Sequence, residues 1–340
     1  MKFLITGVSG FVGEEIALFL KNKIDFKLLG IDKIEDVISK SINFEKCDLF
    51  HEKAKLENIF NNFNPDVVIH CASKILDTFD KKLVWNTNFH ATENLINLST
   101  KYKVKKFIFI STFSIFEKNY ENPINELEKP SYKTLYGKTK YLSENIILKS
   151  NFNGDICILR CPIILGKKRA YRFGVLFGMI KDNYNIPLIG KCDNKLSFVH
   201  VFDVCTAIEK FLSVKGKFIF NIAANESEEF QLILNRLILK VKSKSKLKHI
   251  NKFLGNLAFD IAVLFRLIPY TSYHKKIFNY SIILDTSKIK KILKWEPTYS
   301  NEKMFEENYR HSFLQESNNL ESFSKKKAKE GLLKMLKKII

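Results

Sequence analysis

Tyr136 and Lys140 stand four residues apart in YGKTKYLSE (136–144). On a helix that spacing puts both side chains on one face. An ammonium beside a phenol favours the phenolate, which makes Tyr136 a candidate base for an alcohol proton near neutral pH. The spacing alone is common on surface helices. It gains weight from STFSIF (111–116), which ends a predicted strand and offers the Thr112 hydroxyl to the same substrate oxygen. A second constellation lies near the first residue. TGVSGFVG (6–13) carries Gly7, Gly10 and Gly13 between an apolar stretch and a predicted helix. Strand, glycine turn and helix N-terminus together make an anion site, because main-chain amides and the helix dipole face one point. The missing side chains admit a pyrophosphate close to the backbone. Asp32 follows at the end of the next predicted strand. A carboxylate there can accept hydrogen bonds from both hydroxyls of an adenosine ribose and repels a 2′-phosphate, which favours NAD over NADP. The adjacent Lys33 is the feature that would tolerate that phosphate.

These residues need elements to position them, and the first half of the chain supplies an alternation. Strand-like Lys2–Ile5, 26–32, 65–73, 105–112 and 156–162 alternate with helix-like Glu14–Asn22, Lys53–Phe63, Asn88–Lys101 and Tyr136–Lys149. Such alternation predicts a parallel sheet covered by helices on both faces. Two later strands, 196–201 and 216–223, flank a helix at 203–213 and are expected to return to that sheet. The expected organisation is a dinucleotide-binding domain over 1–165, a mainly substrate-binding region over 166–315, and a basic amphipathic helix over 324–340.

Bulk properties narrow the class. At 340 residues, 46% hydrophobic, the chain can bury a large core. The six cysteines form no CxxC pair, and no metal spacing with the seven histidines is evident. A reducing, cytoplasmic setting is expected. The longest apolar run, 253–270, is interrupted by Asp260 and Arg266, so no membrane span is expected. The net charge of +20 is concentrated in KVKSKSKLKHINK (240–252) and in the tail. No nucleic-acid recognition motif accompanies it, and no nucleic-acid partner is expected. In the tail Leu332, Met335, Leu336, Ile339 and Ile340 share a helical face flanked by lysines. That pattern suits a helix lying in an anionic membrane surface and equally a helix docked on protein.

Taken together, the motifs resemble the extended short-chain dehydrogenase/reductases of the NAD-dependent epimerase/dehydratase family. TGVSGFVG, Asp32, the Asp48–Leu49 pair, VIHCAS (68–73), NTNFHATENL (86–95), FISTFSIF (109–116), YGKTKYLSE, LRCPIILG (159–166), FVHVFDV (198–204) and WEP (295–297) fall in the family's order over about residues 1–315. The resemblance implies a Rossmann α/β fold, a doubly wound parallel sheet with a smaller C-terminal substrate-binding domain. It implies Tyr136 as base, Lys140 on the nicotinamide ribose and Thr112 as the hydroxyl partner. It also implies that Gly7, Gly10, Phe11, Val12 and Gly13 hold the pyrophosphate, Asp48 and Leu49 the adenine, and Ala72 and Asn88 the inner face. Family members are often dimers through a four-helix contact, here using the helices of Asn88 and Tyr136.

Departures from the family's pattern shape the expected reaction. Sugar dehydratases carry an Asp–Glu pair after the catalytic hydroxyl residue; here Phe113 and Ser114 follow Thr112. What remains is hydride transfer at one alcohol. The first reading is a sugar C4 epimerase working through a transient ketone, in surface polysaccharide synthesis. The alternatives are a net NAD(P)-dependent reductase or dehydrogenase of a sugar or lipid alcohol, and a non-catalytic dinucleotide-binding scaffold. The substrate is expected on a nucleotide or a polyprenyl diphosphate. Nucleotide-sugar epimerases usually carry an Asn where Ile163 stands, and LGNLAFDIAVLF (254–265) is similar to epimerases of polyprenyl-linked sugars. Arg169 and Arg172, in a basic cluster after Gly166, are candidates to hold the diphosphate; Ser73 is a further substrate candidate. A cationic tail would suit a lipid-borne substrate at the cytoplasmic membrane face.

Overall fold

The computed structural model describes residues 1–23, 26–75, 80–167, 173–264 and 280–314. The apolar opening forms β1 (Lys2–Thr6), followed by the glycine turn and α1 (Phe11–Lys21). Next come β2 (Lys27–Asp32), β3 (Asn43–Lys46), α2 (Lys53–Phe63) and β4 (Val67–His70). Two helices, α3 (Lys81–Trp85) and α4 (Ala91–Lys101), are joined through a π-helical turn at Asn86–His90. The sequence reading starts this helix at Asn88. It begins a full two turns earlier, capped by the Asp80 carboxylate, which accepts from the Leu83 amide at 3.0 Å. Then follow β5 (Lys106–Thr112), α5 (Leu135–Lys149), β6 (Asp155–Cys161) and β7 (Ile163–Leu165). The remaining part holds α6 (Gly174–Lys181), β8 (Ile186–Ile189), β9 (Lys195–Leu196), β10 (Phe198–His200), α7 (Val201–Phe211), β11 (Lys217–Asn221), β12 (Glu228–Glu229), α8 (Phe230–Lys240), β13 (Leu247–Ile250) and α9 (Lys252–Leu264). Two further helices, Ser287–Leu293 and Asn301–Leu314, close the described chain.

Seven strands form one parallel sheet in the order β3-β2-β1-β4-β5-β6-β11. This is the doubly wound Rossmann arrangement expected from the alternation. Its inner strands β1, β2, β4, β5 and β6 are mostly apolar and buried, as a sheet covered by helices on both faces requires, while the edge strand β3 is largely exposed. Alternation along β1 sends Phe3 and Ile5 into one core and Leu4 into the other. Of the two later strands, only β11 joins this sheet. The segment read as one strand over 196–201 is split: β9 pairs with β12, and β10 pairs with β7. Pro162 explains the parting. Lacking an N–H, it ends the β6 ladder, and the chain leaves as β7 to build a smaller body with its own core around Phe177, Phe198, Phe230 and Phe305. The late WEP segment is hooked back onto α7. The Trp295 indole donates to the Asp203 carbonyl (3.1 Å), and the Asp203 carboxylate accepts the Thr298 and Tyr299 amides (2.8 and 3.2 Å).

The strand order reverses between β1 and β4, which opens a crevice at the C-terminal strand ends. Two local devices shape its walls. Gly7 has φ +74°, and a Cβ there would lie 2.5 Å from the Ala72 amide nitrogen; a Cβ at Gly13 would lie 2.2 Å from the Gly7 carbonyl oxygen. The second device pins α5. The Glu144 carboxylate, buried in the sheet-facing side of α5, accepts from the Ser111 hydroxyl on β5 and from Arg160 on β6, through Nε (3.1 Å) and Nη2 (2.7 Å).

Two stability predictions follow from these contacts. Gly13→Ala forces the turn and α1 apart and lowers unfolding stability by about 1–3 kcal/mol in urea titrations. Arg160→Met strands the buried Glu144 charge and costs about 3–5 kcal/mol, whereas the Arg160→Met/Glu144→Met double variant recovers most of that loss.

Candidate active site

Thr112 ends β5 with its side chain buried. Its hydroxyl oxygen accepts from the Ser114 amide and donates to the Ser114 hydroxyl, both at 3.1 Å. The first turn of α5 is brought to this strand end because Gly137 has no side chain: a Cβ there would fall 2.2 Å from the Ser114 carbonyl oxygen. Tyr136, one residue earlier and 7% exposed, belongs to that turn. The N-terminus of α5 is also clamped. The buried Glu117 carboxylate accepts from the amides of Lys133 (2.8 Å) and Thr134 (3.0 Å) and from the Thr134 hydroxyl (2.6 Å). Thr134 in turn caps the Gly137 amide at 3.1 Å.

One turn on, Lys140 is 2% exposed. Its Nζ donates to the Ile110 carbonyl at 2.6 Å and lies 3.7 Å from the centre of the Phe109 ring. Burial disfavours the ammonium and brings its pKa down to about 7, against the opposing pull of the Glu144 carboxylate. The spacing in the sequence predicts this ammonium beside the phenol. The structure adds that its immediate partner is the strand carbonyl two residues before Thr112.

Behind Phe109 runs a closed chain of hydrogen bonds. His70, fully buried and stacked on Phe109, faces the Thr6 hydroxyl through Nδ1 (2.7 Å) and the Thr92 hydroxyl through Nε2 (2.9 Å). Thr92 donates to the Asn88 carbonyl at 2.6 Å, so it accepts from Nε2–H, and Nδ1 accepts from Thr6. Burial, aided by the Lys140 charge, holds the ring well below the usual histidine range and therefore neutral. His200 is likewise a structural ring, stacked on Tyr299 at 3.7 Å and bonded to Glu307 at 2.8 Å.

Asn88 sits in the π-helical turn rather than at a helix start. Its side chain accepts from the Lys74 amide (2.7 Å) and the Ser73 hydroxyl (3.2 Å), and donates to the Lys74 carbonyl and the Thr139 hydroxyl (both 3.1 Å). It thus ties the segment after β4 to α5. Ser73 is exposed at that rim, next to Ala72. Thr139 and Ser143, which bond the Asn88 side chain and carbonyl, were legible only as polar residues inside YGKTKYLSE. Glu117 and Glu144 carried no local signal, since the donors to their carboxylates lie 16 to 33 residues away.

The far end of the crevice is set by the glycine turn. Gly10 brings no side chain to cap α1, whose first residues are Phe11, Val12 and Gly13. Asp32 reaches across from β2 and accepts the Ser9 amide (3.0 Å) and the Ile34 amide (3.2 Å). Burial raises its pKa, with those amides opposing. Asp48 is drawn into its own turn. Its carboxylate accepts from the Phe50 and His51 amides (2.9 and 3.0 Å), which outweigh partial burial and hold it below the usual range. Leu49 is buried beside it. A side-chain-free cradle at a helix N-terminus, with a carboxylate beyond it, fits the diphosphate and ribose of a dinucleotide. Phe113 and Ser114, where a dehydratase would carry its acid pair, are both buried. Arg169, Arg172 and the 324–340 helix lie outside the described residues.

Comparison with known proteins gives the same picture. The NAD dependent epimerase/dehydratase family model matches residues 3–223. An uncharacterized Sinorhizobium fredii protein, y4nG, is 27% identical over 309 residues, covering 90% of this chain and 77% of its own length. The UDP-glucose 4-epimerase of Caenorhabditis elegans is 30% identical over 187 residues, 47% of this chain, and the match spans 53% of that relative. Among solved structures, UDP-glucose 4-epimerase from Thermotoga maritima, crystallised with UDP-glucose, superposes with a TM-score of 0.74 at 21% identity, covering 92% of this chain and 98% of that one. With the parallel sheet, the glycine cradle and this match in hand, the chain belongs to the NAD-dependent epimerase/dehydratase family, an enzyme family of the extended short-chain dehydrogenase/reductase type with NAD as its cofactor.

Proposed function

We propose that this enzyme epimerises a sugar at C4, with the sugar carried on a diphosphate. The observation that carries the reading is the corner where Thr112 at the end of β5 meets the first turns of α5. There Tyr136 and Lys140 are buried on one helix, and the two residues after Thr112 are Phe113 and Ser114 in place of an acid pair. Bound NAD would supply reversible hydride chemistry at the sugar carbinol. Everything else falls to the chain. Tyr136 removes the hydroxyl proton as the carbonyl forms and restores it on the way back. Thr112 donates a hydrogen bond to the same oxygen. Lys140, held on the Ile110 carbonyl, positions the nicotinamide ribose and supplies positive charge beside the phenol. The Gly7–Gly13 turn holds the pyrophosphate, Asp32 the adenosine ribose, Asp48 and Leu49 the adenine, and Ala72 and Asn88 line the inner face.

Two proteins that this chain resembles are named UDP-glucose 4-epimerases, which supports C4 as the reacting carbon. Ser73, and by sequence the basic residues Arg169 and Arg172, are our candidates to hold the diphosphate carrier, and Ile163 on β7 stands where nucleotide-sugar epimerases usually carry an Asn. The polyprenyl carrier, a role in surface polysaccharide synthesis, a homodimer through the α3–α4 and α5 helices, and membrane contact through 324–340 complete this reading. No described helix is long and apolar enough to cross a membrane.

Incubation with UDP-N-acetylglucosamine, and separately with its polyprenyl-diphosphate counterpart, tests the carrier. Interconversion of sugars without added cofactor is expected, and a stoichiometric absorbance change of added nicotinamide would instead assign a net reductase. Tyr136→Phe is expected to lower kcat by about 10²–10⁴-fold while NAD still binds; unchanged turnover would remove Tyr136 from the chemistry. Lys140 adds a pH signature. Its unfolded pKa is near 10.5 and its folded value about 7, so between those limits the unfolded chain holds a proton that the folded one lacks. Stability of the cofactor-free protein relative to Lys140→Met therefore rises with pH from about 7 toward 10.5. Urea midpoints across that range check the slope, and a flat difference would contradict it.

A further inference from the structure

The helix α9 has one face that the described residues leave uncovered. Phe253 and Leu264 are each 75% exposed, Leu254 is 59% exposed, and Leu257 and Ile261 are also exposed. At 100° per residue these five side chains fall within one arc of the helix. The opposite side is the packed one. Gly255 is buried there, and a Cβ on it would approach Ile189 of β8 to 3.1 Å. The helix is well formed at its start, where Asn251 accepts from the Phe253 and Leu254 amides at 2.9 and 3.3 Å. Five large apolar side chains on one exposed helical face are more than scattered surface hydrophobes.

The segment leading into α9 is cationic. Lys242, Lys244, Lys246 and Lys248 are exposed, while Ser245 is buried and Leu247 packs on the smaller core. Lys244 and Lys246, just before β13, and Lys248, His249 and Ile250 within it are all exposed. The chain passes from this strand to the apolar face through Asn251 and the exposed Lys252. Asp260 is the acidic residue of the helix. An apolar face beside a row of lysines selects among occupants. The chain's own tail carries seven lysines between Ser324 and Ile340, and a second copy would bring the same lysine row against itself; both meet like charge. An anionic lipid surface offers acyl chains for the leucines and headgroup charge for the lysines.

We infer that the exposed face of α9 and the lysines of the segment leading into it (242–248) dock this enzyme peripherally on an anionic membrane surface. The inference rests on these residues and not on the assignment of the active site, so either can fail without the other. Phe253, Leu254, Leu257, Ile261 and Leu264 enter the headgroup boundary, and the lysines meet lipid phosphates, each contributing about a fivefold factor in affinity.

The test is co-sedimentation of the full-length protein with vesicles of phosphatidylglycerol and phosphatidylcholine, against vesicles of phosphatidylcholine alone. Binding to the anionic vesicles is expected, at least tenfold weaker on neutral ones and weakened by added salt. Leu257→Glu/Ile261→Glu, at exposed positions that leave the thermal midpoint in place, is expected to lower binding at least tenfold. Lys246→Glu/Lys248→Glu is expected to do the same on anionic vesicles. Absence of sedimentation, or binding that neither pair of substitutions alters, would overturn the inference. So would a wild-type dimer in light scattering that Leu257→Glu/Ile261→Glu converts to monomer with vesicle binding unchanged, which would assign the face to self-association.

Discussion

The helix that carries Tyr136 and Lys140 is fixed to the sheet by two buried carboxylates, and the candidate site depends on both. Glu117 gathers the amides of Lys133 and Thr134 and the Thr134 hydroxyl at the helix start. Glu144, nearly three turns further, gathers Ser111 and Arg160 from two adjacent strands. A buried charge is costly unless several donors meet it. Each donor set therefore favours one position of the helix over its neighbours. Between the two anchors, Gly137 allows the close approach to the Ser114 carbonyl that brings the first turn to the end of β5.

The polar groups behind the site are arranged so that little charge is left over. His70 is neutral and fully used between two threonines, and Asn88 uses both ends of its amide. Lys140 is the exception, a cation in a dry place with a carbonyl and an aromatic ring as neighbours. Its depressed pKa puts the change of charge near neutrality, in the range where a proton passing between a phenol and a sugar hydroxyl can be supported. Rigid surroundings and one poised group are what a site needs to run the same proton transfer in both directions.

Much of this was legible in the sequence because it is local. The glycine turn, Asp32 at a strand end, Thr112 and the Tyr136–Lys140 spacing all depend on residues close in the chain, and the alternation of strands and helices specified the parallel sheet. What escaped was set at a distance. The π-helical turn at Asn86–His90 breaks the helical period, which is why the helix start was read seven residues late. The pairing of β10 with β7 in place of the large sheet has no local signature beyond Pro162. Glu117 and Glu144 look like ordinary helix-flanking and helical acids until their partners arrive from other elements.

The account's central claim is that the Tyr136 phenol takes and returns the proton of the reacting sugar hydroxyl. A crystal structure of the enzyme with NAD and a sugar substrate tests it most directly. The Tyr136 oxygen is expected at about 2.6–3.2 Å from the reacting hydroxyl, with Thr112 on the same oxygen and the reacting carbon facing the nicotinamide. A phenol turned away from the sugar, with another group on that hydroxyl, would contradict it.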